Sequence, residues 1–124
     1  MKNAKRAGTK REHQVADVLR SEGWIVYRSA GSHGCADLVA MRVGFPPMLV
    51  QVKGNAGGPW EHFRPVERRE LEAEAIMAGA TAHLVHWPPR HIPRWYGRLE
   101  WPGNAGLESH PAEIDHRLQA GVPS

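Results

Sequence analysis

The stretch LVAMRVGFPPMLVQVK, residues 38–53, constrains the fold more than any other. Leu38 to Met41 and Met48 to Val52 are apolar runs of strand length, and Gly44-Phe45-Pro46-Pro47 between them supplies turn residues. Two strands joined in this way pair as an antiparallel hairpin. Side chains alternate along a strand, so Leu49, Gln51 and Lys53 share one face of the second strand and Met48, Val50 and Val52 the other. The hairpin also brings Asp37, at the mouth of the first strand, near the Gln51 to Lys53 end. An acid, an amide and an ammonium converge there.

The flanking sequence supplies helices. Val15, Ala16, Val18 and Leu19 recur at helical intervals, Thr9-Lys10-Arg11-Glu12 has capping-box spacing, and Gly23 is a terminator, so a helix is predicted over 9–23. Trp24 to Tyr27 reads as a strand. Gly54 to Pro59, with three glycines and a proline, reads as a loop. A second helix opens near Pro65, carries Leu71, Ala75, Ile76 and Ala78 as its apolar stripe, and ends at Gly79. Thr81 to Trp87 reads as a fourth strand, Pro88 to Pro93 as a loop and Arg94 to Glu100 as a fifth strand. Residues 101–124 form a tail of undefined role, with weak helical signal around 112–119. At 124 residues the chain fits one domain, 1–124, of α/β class: a central mixed sheet flanked by helices, with the site at one edge.

Charge is unevenly placed. Lys2, Lys5, Arg6, Lys10 and Arg11 all precede the first acid, Glu12, so residues 1–8 read as a basic arm suited to nucleic-acid phosphates, or as a solvated arm that aids solubility. Cys35 is the sole cysteine, which excludes an internal disulfide and fits a reducing cytoplasm. No apolar run approaches the roughly 20 residues that cross a bilayer. A cytoplasmic protein without membrane contact is expected.

Glu12 adds to the convergence, because 12, 15, 16 and 19 lie on one helical face whose other members are apolar. A carboxylate on such a stripe is costly unless it is paired, hydrogen-bonded or bound to a cation. Glu12, Asp37 and the Gln51 amide oxygen are hard ligands suited to Mg²⁺ or Mn²⁺, and Lys53 beside the ion suits phosphodiester hydrolysis. Each residue also has a structural reading: Glu12 in a capping box, Asp37 capping a turn, Gln51 and Lys53 on the polar face of an edge strand. His83 and His86 fall on opposite faces of one strand and make poor joint zinc ligands. Trp60 is a candidate to pack on a nucleobase or sugar, and Arg64, Arg68 and Arg69 either track phosphates or form a solvated face with Glu61, Glu67 and Glu70. Cys35 has no base motif beside it.

A helix glutamate, then RSAGS, then an Asp after a small-residue loop, then thirteen residues and QVK resembles the archaeal-type Holliday junction resolvases of the PD-(D/E)XK nuclease superfamily. The likeness is close from Gly8 to Lys53 and looser through the AHLVHW strand. It implies a restriction-endonuclease-like fold. It also implies that Glu12, Asp37 and Gln51 hold the metal, that Lys53 is the catalytic lysine, that Ser32 assists at the scissile phosphate and that Arg28 contacts DNA or braces the site. Lys5, Arg6, Lys10, Arg11 and Arg64 complete the expected DNA-binding set. The family acts as a homodimer that nicks opposing strands of a four-way junction. Three departures stand out: Gln51 replaces the usual Glu, His13 replaces an Arg, and the loop between Ser32 and Asp37 is about one residue longer. Two other functions fit the same residues. One is a nuclease of this superfamily on restriction, repair or transposition substrates, and the other a DNA-binding module whose nuclease site has decayed through Gln51.

Overall fold

A computed structural model gives the structure of residues 2–29 and 36–113, the side chains of 2–8 excepted. Helix α1 (Lys2–Ser21) leads into strands β1 (Ile25–Arg28), β2 (Leu38–Met41) and β3 (Met48–Lys53). Helix α2 (Pro65–Ala78), β4 (Thr81–His86), β5 (Arg94–Gly97) and a 3-10 turn (Arg98–Glu100) follow. The five strands lie in the order β1-β2-β3-β4-β5, with β3 and β4 parallel and every other pair antiparallel. The hairpin pairs Leu38 with Val50 and Ala40 with Met48, and α2 is the crossover that parallel neighbours require.

Alternation divides the core into two layers. Val15, Ala16 and Leu19 of α1 pack on Val26, Leu38, Ala40, Met48, Val50, Val52 and Val85. Leu71 and Ala75 of α2 pack on the opposite face with Leu49, Ala82, Leu84, Phe63 and Trp101. Strand β3 is therefore buried on both faces, and the reading of Gln51 and Lys53 as an edge strand's polar face does not hold. Gly79 caps α2 at φ +64°, a left-handed conformation that glycine adopts without a Cβ penalty.

Three local expectations are corrected. Helix α1 begins at Lys2, so Thr9 lies inside it and makes no capping box, and residues 2–8 continue the helix instead of forming a separate arm. Lys, Ala and Arg are strong helix formers, and one glycine does not stop the run. The fifth strand ends at Gly97, where the backbone tightens into the 3-10 turn. On α2, Ile76 and Ala78 face solvent and only Leu71 and Ala75 are buried. The weak helical signal over 112–119 lies almost wholly outside the described residues.

Candidate active site

The site forms where β2 begins and β3 ends, in the middle of the sheet and not on an edge strand. Asp37 precedes β2 at a bend; its N–H donates to Val50 O at 2.9 Å, and its Oδ2 accepts from Val52 N at 2.8 Å. The side chain thus takes over the ladder bond that the departing backbone no longer supplies, which fixes the carboxylate at the strand mouth. Gln51, 9% exposed, lies on the same face as Lys53, and its amide makes no hydrogen bond among the described residues. Directly after Lys53, a Cβ on Gly54 would lie 2.8 Å from Arg11 Cγ, so glycine admits α1 to this end of the sheet.

Glu12 does not cap its own helix. Its Oε1 accepts from Arg28 Nη2 at 3.0 Å and Nε at 3.3 Å, so Arg28 braces the site from β1. Lys53 Nζ lies 3.5 Å from Glu67 Oε2, while Glu67 Oε1 accepts from Arg64 N at 3.1 Å. Glu67 is the site residue that sequence reasoning missed. Its signal was present: with Pro65 opening α2, Glu67 is at the third helical position, where a glutamate turns back to the cap. Burial pushes the Asp37 carboxyl up to about 6; the Val52 N–H and the Lys53 charge oppose that rise, and the Glu12 and Glu67 charges add to it.

Other expected site residues are placed differently. Arg11 turns inward, with Nη1 donating to Gln14 Oε1, Nη2 to Pro88 O at 2.9 Å and its guanidinium 4.8 Å from the Trp87 ring centroid. Lys10 and Arg64 are exposed. Lys5 and Arg6 have no described side chains, and Ser32 and Cys35 lie outside the described residues. Trp60 packs edge-on against Tyr96 at 5.0 Å, with Arg68 over its ring. His83 and His86 are both buried on opposite faces: His83 shares a hydrogen bond with Thr81 Oγ1, and His86 Nε2 donates to Asn55 O. Burial pushes the His83 imidazole down to about 4, against the Glu113 charge.

Among the described residues, no three His, Cys, Asp or Glu side chains gather into a metal-binding group. The site's donor set instead joins two carboxylates to the unengaged Gln51 amide, and that chemistry fits a hard divalent cation. No helix among the described residues is long and apolar enough to cross a membrane.

An acid at the mouth of one strand and an amide and a lysine on its neighbour, in a mixed sheet layered between helices, define a nuclease of the PD-(D/E)XK class. Residues 3–84 match the family model of the archaeal Holliday junction resolvase (Hjc), and the chain belongs to that family. Among solved structures it is similar to the Holliday junction resolvase Hjc of Archaeoglobus fulgidus, an archaeal hyperthermophile, at 27% identity and a TM-score of 0.65 over 74% of this chain and 73% of that one. A search of curated protein sequences finds no match. Glu12, Arg28, Asp37, Gln51 and Lys53 all lie in the matched segment, and the chain is a junction-resolving nuclease of a family that uses divalent metal.

Proposed function

We propose that the protein is a Mg²⁺- or Mn²⁺-dependent endonuclease that resolves four-way DNA junctions as a homodimer, with one nick in each of two opposing strands. The observation that carries the reading is Asp37: a half-buried carboxylate at the strand mouth near Glu12 and Lys53, whose pKa is raised to about 6, first by burial and then by the Glu12 and Glu67 charges. Asp37, Gln51 and Glu12 would hold the ion, which when bound supplies Lewis acidity and a more acidic attacking water. Attack of water on phosphorus breaks the P–O3′ bond and leaves 5′-phosphate and 3′-hydroxyl ends. Lys53 offsets the negative charge that grows on the phosphoryl oxygens, and Glu67 holds its ammonium in place until DNA arrives. Ser32 assists at the scissile phosphate, on the strength of the family motif.

Paired nicks need two sites related by a two-fold axis, which a homodimer on a two-fold junction supplies. Ile25 and Tyr27 (each 60% exposed) and Met77 (88%) give such a dimer apolar surface to cover. The test is a denaturing gel of a synthetic four-way junction with each strand labelled in turn. Symmetric nicks in one opposing pair of strands are expected. Equal cutting of plain duplex overturns the junction specificity, and a parent that binds junctions but never nicks them, while Gln51→Glu does, makes this a DNA-binding module with a decayed site.

A further inference from the structure

Residues 85–113 lie beyond the family match, and they contain an arm built beside the active site. Strands β3 and β4 run parallel with Lys53 opposite His86, and β5 places Arg94 opposite His86. Lys53, His86 and Arg94 therefore form one row on one face of three adjacent strands. Two strand spacings put the Arg94 backbone about 10 Å from that of Lys53, roughly three base-pair rises along one DNA strand. The loop between β4 and β5 starts at Trp87, whose N–H donates to Lys53 O at 2.8 Å. Its far wall is α1: Arg11, next to Glu12, bonds Pro88 O and stacks on Trp87.

The loop is held in one shape from within. Trp87 Nε1 donates to His91 O, and His91 donates from Nδ1 to Pro89 O and from its backbone N–H to Pro88 O. Arg90 sits at the tip with φ +60°, the one positive φ among the described non-glycine residues, and its side chain is exposed. Neither Arg90 nor Arg94 has a hydrogen bond or ion pair among the described residues, and Arg94 is exposed too. No acid occurs in residues 75–99, so nothing on the arm repels a polyanion. A rigid loop that presents two unpaired guanidinium groups binds phosphate with little ordering cost.

We infer that this arm, through Arg90 and Arg94, grips backbone phosphates of the DNA strand next to the scissile position, with Arg11 as the brace that sets its angle. The inference rests on the DNA-nuclease reading above and adds a contact to it. It is tested with the full chain, a synthetic four-way junction and a plain duplex, by binding titrations across a range of salt without divalent metal. The Arg90→Gln/Arg94→Gln variant is expected to bind junctions roughly tenfold more weakly at moderate salt, and its slope of log affinity against log salt is expected to fall in magnitude by about two, one for each lost phosphate contact. An unchanged affinity and slope overturn the arm, while junction cleavage by the parent leaves the resolvase reading standing. If the parent cuts duplex as readily as junctions, that reading falls, yet the same loss of slope measured on duplex upholds the arm.

Discussion

Two ion clusters sit at opposite ends of the sheet, and they are filled in opposite ways. At the Arg98 end, Nη1 donates to Glu72 at 2.6 Å, Nε and Nη2 donate to Glu113 at 2.8 and 2.9 Å, and Nη2 also reaches Glu108 O. Bonding to Glu113 raises the Arg98 pKa against the pull of burial, and Glu72 adds to the rise. Burial alone would push Glu113 up, but Arg98 and the His110 N–H hold it below the usual carboxylate range. At the active-site end, Arg28 is engaged by Glu12 and Lys53 by Glu67, so the Asp37 carboxylate bonds a backbone N–H and feels the Lys53 charge only at longer range. The structural cluster is complete from within. In the functional one Asp37 bonds no cationic side chain among the described residues, and that is the gap the proposed divalent ion would fill.

That contrast predicts a split between activity and stability. Asp37→Asn keeps an acceptor for Val52 N–H but loses the ligand charge, so junction cleavage is expected to drop on the order of 10²–10³-fold. The same change relieves a strained carboxylate, and thermal unfolding at pH 8 without metal should show a gain of about 1–2 kcal/mol. A variant that lost activity and stability together would break the comparison. Arg98→Met should behave in reverse. It strands two partly buried carboxylates, so denaturant unfolding is expected to report a loss of roughly 3–5 kcal/mol, while junction cleavage at a temperature where the variant stays folded should remain near the parent's rate.

The smallest effect concerns pH, where two groups oppose each other. The Asp37 pKa is raised from 3.8 to about 6, so its contribution to stability is full below pH 3.8 and is lost as pH rises through 6. The His83 pKa is lowered from 6.5 to about 4, so its contribution is full above pH 6.5 and is lost as pH falls through 4. Stability of the metal-free parent between pH 4 and 6.5 should therefore vary by less than either group alone dictates, each being worth at most about 3 kcal/mol. In Asp37→Asn the His83 limb is exposed, and stability should climb with pH across that window. A flat profile in the variant would remove His83 from the account.

The convergence of Asp37, Gln51 and Lys53 was legible because it is local: a two-residue alternation and one turn fix it, and pairing of Leu38 with Val50 follows. Glu12 was legible as a misfit on an apolar stripe. What sequence could not give depends on docking across long separations. Glu67 reaches Lys53 only after α2 begins where it does, and Arg11 turns from a solvent-facing base into a brace because Trp87 and Pro88, more than seventy residues later, arrive beside it. Arg98 read as a strand residue, since its partners Glu72 and Glu113 lie 26 and 15 residues away. The early start of α1 was hidden by a capping-box motif that the helix runs straight through.

The claim that the active-site end is short of one cation is tested most directly by the thermal unfolding midpoint at pH 8 as Mn²⁺ is raised, for the parent and for Asp37→Asn. Binding to the folded state alone stabilises it by about 2.7 kcal/mol at a hundredfold excess over the dissociation constant. The parent's midpoint is predicted to rise steadily with Mn²⁺ while that of the variant stays flat. A flat parent, or a variant that rises equally, would contradict the account.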